Sequence, residues 1–468
     1  MPTADLWSTR CVRLQTGALA VAVLAVGVRW ALTAPALRGA PLGLVVLVPA
    51  LVLLLLRRRP DAVALGLVAS GLVAAQVLAR SRAGLLPTDD PARLLVAVQV
   101  LALVVALLAG VAALSLSGWG RGSSTGRADG LARTAQVAGL LLLAPVGAEY
   151  LAAYDDSTGD PGRLLAGLVV FVPLYGCPAL LIREVARRRG LGWPGMLALG
   201  AVFGLLQAGV VDQSLFSSGY RGIEGWEEGY RATLLGPLGL SAANLVNFVG
   251  GHVVFSICAP IALVEAARPT AAIRPWLSRP ALVLVALGYL AASALVLDDH
   301  LGSESEHASP VQVVVTLAVA LALLVVALRW RPVPRVAAGR PAPRVAAVLA
   351  LALVPAAVHA LATQTWTGVA MALGSSLLVV AGVVTAACRP GWGPRQAAAV
   401  AAAPLLVRGL LAFAYAPLVG EVGPAAKYGH NAVMLLVVLV AVLVALRPLR
   451  PRSDTGAPGL VRAGRTGT

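Results

Sequence analysis

Two apolar stretches carry most of the side chains able to do chemistry. VFGLLQAGVVDQ (202–213) holds Gln207 and Asp212, and SAANLVNFVGGHVVFS (241–256) holds Asn244, Asn247, His252 and Ser256. Amides donate and accept neutral hydrogen bonds, a carboxylate takes up or releases a proton, and an imidazole does both. Hydrocarbon solvates none of these groups, so each needs a protein partner, a water-filled cavity or a ligand. Glu149, at the end of an apolar run, and Arg408, inside another, add one charge of each sign. Together, Glu149, Gln207, Asp212, Asn244, Asn247, His252 and Arg408 are the candidate lining of a substrate site, with Glu149 or Asp212 available to carry a proton.

The elements that must position them are membrane spans. Of the 468 residues, 59% are hydrophobic and 12% charged, and the net charge is +16; soluble proteins carry about a quarter charged residues. Runs of about 20 apolar residues, enough to cross roughly 30 Å of hydrocarbon, occur at 14–33, 38–56, 61–80, 94–117, 131–151, 164–182, 194–212, 242–266, 280–298, 310–329, 344–363, 368–388, 396–414 and 429–446. The expected fold is an all-α polytopic bundle of about 14 spans. The clusters Arg57-Arg58-Arg59 and Arg187-Arg188-Arg189 and the basic 329–344 connection fall on one side of this layout. Cationic loops stay in the cytoplasm, which puts both termini there and predicts a plasma (inner) membrane protein. The charge is dispersed over short loops, so no nucleic-acid partner is expected.

The chain divides into four apolar spans (1–120), a polar core (131–266) with its longest outer loop at 213–241, six further spans (280–446) and a tail after Arg447 (447–468) expected to be disordered. The Gly-, Ser- and Arg-rich 117–130 segment reads as a flexible linker between the first two. In the polar core, Pro173, Gly176 and Pro178 predict a kink near mid-membrane. Gly200, Gly204 and Ala208 form a small-residue seam for close helix contact. Helical spacing puts Asn244, Asn247 and Gly251 on one face, with His252 and Ser256 beside it. At 1.5 Å per residue, His252 falls roughly 15 Å below the outer end, Gln207 and Asn247 about 7 Å below it, and Glu149 within about a turn of the boundary. Arg408 requires a partner, since an unpaired arginine at a helix centre costs roughly 2.5–3.5 kcal/mol.

The order REVARRRGLGWPGMLALGAVFGLLQ followed by NFVGGHVVFS resembles the CPBP family, the CAAX-protease and bacteriocin-processing intramembrane proteases. That family carries EExxxR, then FxxxH, then a further histidine motif. Here Glu184 and Arg188 give the first spacing, with Arg183 in place of the leading glutamate. Phe203–Gln207 has the second spacing with glutamine for histidine, and Phe248–His252 has it intact. The resemblance implies that Glu184 activates water, assisted by His252, to cleave a membrane peptide. The residues themselves favour a different activity, the binding or transport of a small molecule or lipid.

No cofactor is expected. There is no Walker A, dinucleotide-binding or His-Glu-xx-His motif, and Cys11, Cys177, Cys258 and Cys388 are scattered without CxxC spacing. No metal site is expected either, the acidic 298–307 segment reading as hydrated surface. The partners are the lipid bilayer and a small molecule, lipid or membrane peptide, in an oligomeric state the sequence leaves open.

Overall fold

The computed structural model describes residues 3–33, 124–329 and 339–448, with scattered positions between 47 and 109. The expected spans at 38–56, 61–80 and 94–117, most of the 329–344 connection and the tail from 449 onward lie largely outside the described residues.

Helix α1 (Thr3–Thr33) is followed by α2 (Ser124–Ala148), α3 (Pro161–Arg189), α4 (Gly192–Val211), a short α5 (Trp226–Ala232), α6 (Ala242–Ala267), α7 (Arg279–Ser303), α8 (Pro310–Arg329), α9 (Val345–Ala360), α10 (Trp366–Ala387), α11 (Pro394–Leu411) and α12 (Pro424–Leu446). Seven of these, α3, α4, α6, α7, α8, α10 and α12, are long and apolar enough to cross a membrane. The boundaries follow local chemistry. Asp160 accepts hydrogen bonds from the Gly162 and Arg163 amides ahead of α3, with Pro161 at its first position; Ser278 and Thr365 cap α7 and α10 in the same way. Gly190, at φ +65°, ends α3. The 117–130 linker is revised in part, because its second half, from Ser124, forms the start of α2.

The buried core joins α2, α3, α4, α6, α11 and α12. The predicted small-residue seam is the α4–α6 contact: a Cβ on Gly204 would meet the Val249 carbonyl at 2.9 Å, and one on Gly200 would come within 3.6 Å of Val253 Cα. At Gly147, α2 approaches α6 so closely that a Cβ would lie 2.4 Å from the Phe255 carbonyl oxygen.

At the end of the bundle where α3 meets the 268–277 segment, buried ions make the lock. Arg183, wholly buried, contacts Glu265 at 3.0 Å and Glu184 at 2.6 Å, donates to the Ala272 and Arg274 carbonyls, and lies 3.6 Å over the Trp276 ring. Arg187 adds a second cation to Glu265, and Arg188 adds one to Glu184. Every charge here is paired, the condition under which buried ions are tolerated.

The opposite, loop-rich end is organised around the 212–241 segment. Its hairpin, β1 (Leu234–Leu235) paired antiparallel with β2 (Leu240–Ser241), is closed by a Thr233–Ser241 hydroxyl contact of 2.8 Å. Glu306 fastens the segment, accepting from the Ser218 and Gly219 amides at 2.7 and 3.0 Å. These bonds hold the Glu306 carboxyl below its ordinary range, the Ser218 hydroxyl bond contributing most.

Candidate functional site

Four wide, π-helical turns interrupt the helices of the polar core: Val172–Gly176 in α3, Gln207–Val211 in α4, and Leu245–Gly250 and His252–Cys258 in α6. Such turns insert a residue into the helical register and gather at functional sites. In α3 the cause is visible, since Pro173 supplies no amide to the helical ladder. The predicted kink is thus a local widening, and it carries Tyr175 to the bundle interior.

Two helices end within the bundle. A Cβ on Gly409, near the end of α11, would meet Leu151, just past α2, at 2.9 Å and Leu435, mid-way along α12, at 3.0 Å. Leu435 is roughly 16 Å into its helix. The carbonyls exposed where α2 and α11 stop need donors that lipid cannot provide. His430 Nε2 donates to the Tyr150 carbonyl and Asn431 to the Ala412 carbonyl, both at 2.9 Å, and the Tyr415 hydroxyl donates to the Ala152 carbonyl. Arg408 makes a longer contact, 3.4 Å, to the Ala148 carbonyl.

This arrangement revises the depth of Glu149. Its two oxygens accept the hydroxyls of Tyr154 and Tyr175, and Tyr175 is about 21 Å into α3, so Glu149 is at mid-bundle rather than near the boundary. Both phenols are the donors in these bonds. Tyr175 stacks on His252 with ring centroids 5.8 Å apart, Phe203 meets the same imidazole edge-on at 5.5 Å, and His252 Nδ1 lies 3.1 Å from the Ser256 hydroxyl. Arg408 lies over the Phe255 ring at 4.3 Å. Gln207 donates to Asp212 at 3.2 Å, and Asp212 also accepts the Ser214 amide and hydroxyl.

Glu149, Gln207, Asp212, Asn247, His252 and Arg408 all line one cavity of about 2860 Å³. Asn244 does not. It is buried at the loop end of α6 with an unpartnered amide nitrogen, because the wide turn at Leu245–Gly250 breaks the regular spacing that would align it with Asn247. Glu184 is also apart. It is nine residues beyond Tyr175 on α3, roughly 13 Å along the axis from the level of His252, and its oxygens accept from Arg183, Arg188 and the Trp276 and Leu277 amides. The sequence reading passed over Tyr175 as a site residue; its place between Pro173 and Pro178, in a span otherwise almost free of polar side chains, is the signal that marks it. Among the described residues no cluster of His, Cys, Asp and Glu is arranged to hold a metal ion.

Residues 138–449 match the model of an uncharacterised membrane protein family; the match is not to the CPBP proteases. No curated protein and no solved structure matches the chain.

Proposed function

We propose, for a chain that belongs to this uncharacterised membrane protein family, that the central cavity binds a small molecule or lipid and moves it through or within the bilayer. One observation carries the reading: six polar side chains from α6, α11 and the ends of α2 and α4 line a single cavity. Intramembrane ionisable groups are expensive to maintain and mark substrate or proton pathways. Helices that stop within the bundle around a polar site, as α2 and α11 do, are a feature of transporter binding sites. By the same reading the acidic, loop-rich rim of the cavity faces the outside of the plasma membrane.

Glu149 supplies the coupling. As a carboxylate it accepts both phenols. Protonation turns one of its oxygens into a donor, so one of the two bonds must reverse or weaken. Tyr175 is on α3 and Tyr154 is in the 153–160 loop, so proton uptake at the oxygen facing Tyr175 changes how α3 is held against the end of α2.

The test uses purified full-length protein in vesicles of total bacterial lipid extract, with bound molecules released and identified by mass. Wild type carries a bound molecule or moves it between leaflets. Glu149→Gln and His252→Ala, folding at wild-type yield, lose it. Wild-type binding and flux in both variants would sink the reading.

A further inference from the structure

Arg408 is a cavity cation whose hydrogen-bonding capacity the described structure leaves largely open. A guanidinium has five N–H donors. The bonds made here amount to the 3.4 Å contact with Ala148, and Nε is buried without a partner. Among the described residues no carboxylate lies within ion-pair distance of it. A cation–π contact with Phe255 occupies its face and leaves the donors at its edge free. Glu149 shares the cavity and offsets part of the charge, but both its oxygens are taken by phenols. A guanidinium kept this way in an apolar surround suits a planar or tetrahedral oxyanion.

The rest of the cavity narrows the ligand. The cavity is also lined by Val400 and Pro404 of α11, the helix that carries Arg408, and by Val379, Val380, Val383 and Val384 of α10, which give it apolar walls. Val380 and Val384 are 50% and 60% exposed, so this part of the lining is apolar and open rather than packed into the core. From Arg408 to Ala397, which also lines it, is roughly 16 Å along α11, about half the hydrocarbon thickness. At about 2860 Å³ the space is several times the roughly 300–1,000 Å³ of a drug-sized pocket. Its loop-end rim is net acidic, Asp155, Asp156, Asp298, Asp299 and Glu304 outnumbering Arg163 and Arg221, which disfavours entry of a soluble anion and favours arrival from the bilayer.

We propose that the ligand is an amphiphile with an anionic head group, a phosphate or carboxylate held by Arg408, whose hydrocarbon chain lies along the α10–α11 wall. The proposal rests on the cavity reading above and adds the ligand's charge and its route.

Native mass spectrometry of the full-length protein in a non-ionic detergent tests it with four probes: phosphatidylglycerol, phosphatidylcholine and diacylglycerol of identical chains, and glycerol 3-phosphate. Phosphatidylglycerol is expected to bind at least about tenfold more tightly than diacylglycerol, the effect of one charge-assisted contact. Arg408→Gln removes that preference and leaves diacylglycerol binding unchanged, while Arg408→Lys keeps most of it. Equal binding of the three lipids, or a preference that survives Arg408→Gln, overturns the inference and leaves the cavity reading standing. Tighter binding of glycerol 3-phosphate than of phosphatidylglycerol overturns the amphiphile and its route while keeping the anion. Binding of none of the four overturns both. If Arg408→Gln does not fold, the wild-type preference and Arg408→Lys decide.

Discussion

Replacing Arg183 with methionine removes the hub of the buried ionic lock while keeping an unbranched side chain of helix-forming type. Arg183 and Glu184 are both 0% exposed and Glu265 is 2% exposed, so no water is available to take over the lost contacts. Removing one partner of a buried pair typically costs about 3–5 kcal/mol, because the remaining charge is left uncompensated. Here Arg187 stays on Glu265, and Arg188 with the Trp276 and Leu277 amides stays on Glu184. That moves the expectation to the lower end, about 3 kcal/mol. The control is Arg231→Met, which breaks an ion pair of 2.7 Å whose side chains are 67% and 61% exposed, a class worth about 0–1 kcal/mol. Unfolding in mixed micelles, followed by retention on size exclusion, compares both with wild type. Arg183→Lys should recover only a minor part, since an ammonium cannot reproduce the fork that reaches two carboxylates and two carbonyls. A loss for Arg183→Met no larger than that for Arg231→Met would refute the claim that this cluster holds α3 to α6.

Gly147→Ala should lower stability by about 1–3 kcal/mol in the same assay, because its Cβ would meet the Phe255 carbonyl, whereas Gly139→Ala, whose Cβ meets only Val264 at 3.8 Å, should be close to neutral. His430→Ala leaves the buried Tyr150 carbonyl with only the Ala153 amide, at 3.2 Å, and should cost about 0.5–1.5 kcal/mol; no measurable change would show that the Ala153 amide suffices to end α2 there. The Glu306 latch gives a pH signature. Its carboxyl is held below the usual range when the 212–241 segment is docked, so its contribution is complete above the undocked value and is lost as pH falls through the lower, docked one. Limited proteolysis of that segment should therefore accelerate only under acid conditions in wild type and be faster already at neutral pH in Glu306→Ala; identical pH profiles would refute the latch.

The helical character of the chain was legible in the sequence and the site only partly so. The expected spans from 131 onward match α2–α4 and α6–α12 to within about seven residues at either end, and seven of these helices meet the length and composition of a span. Arg408 was expected to have a partner; its described contacts are the Ala148 carbonyl and the Phe255 ring, and no carboxylate among the described residues pairs with it. Regular helical phase failed at Asn244, where a wide turn in α6 intervenes, and axial distance misplaced Glu149, because that estimate assumed α2 to reach the boundary.

Apolar run length, the capping residues Asp160, Ser278 and Thr365, and the glycine seam of α4 determined by themselves that this is a helical membrane protein with a polar core, because bilayer thickness and backbone hydrogen bonding act on consecutive residues. Which polar residues share a cavity was decided only by tertiary structure. The Tyr175–Glu149 bond joins positions 26 residues apart and the His430–Tyr150 bond positions 280 apart. Where α2 and α11 stop is set by such distant donors, since a helix can end in hydrocarbon only where another part of the chain satisfies its last carbonyls.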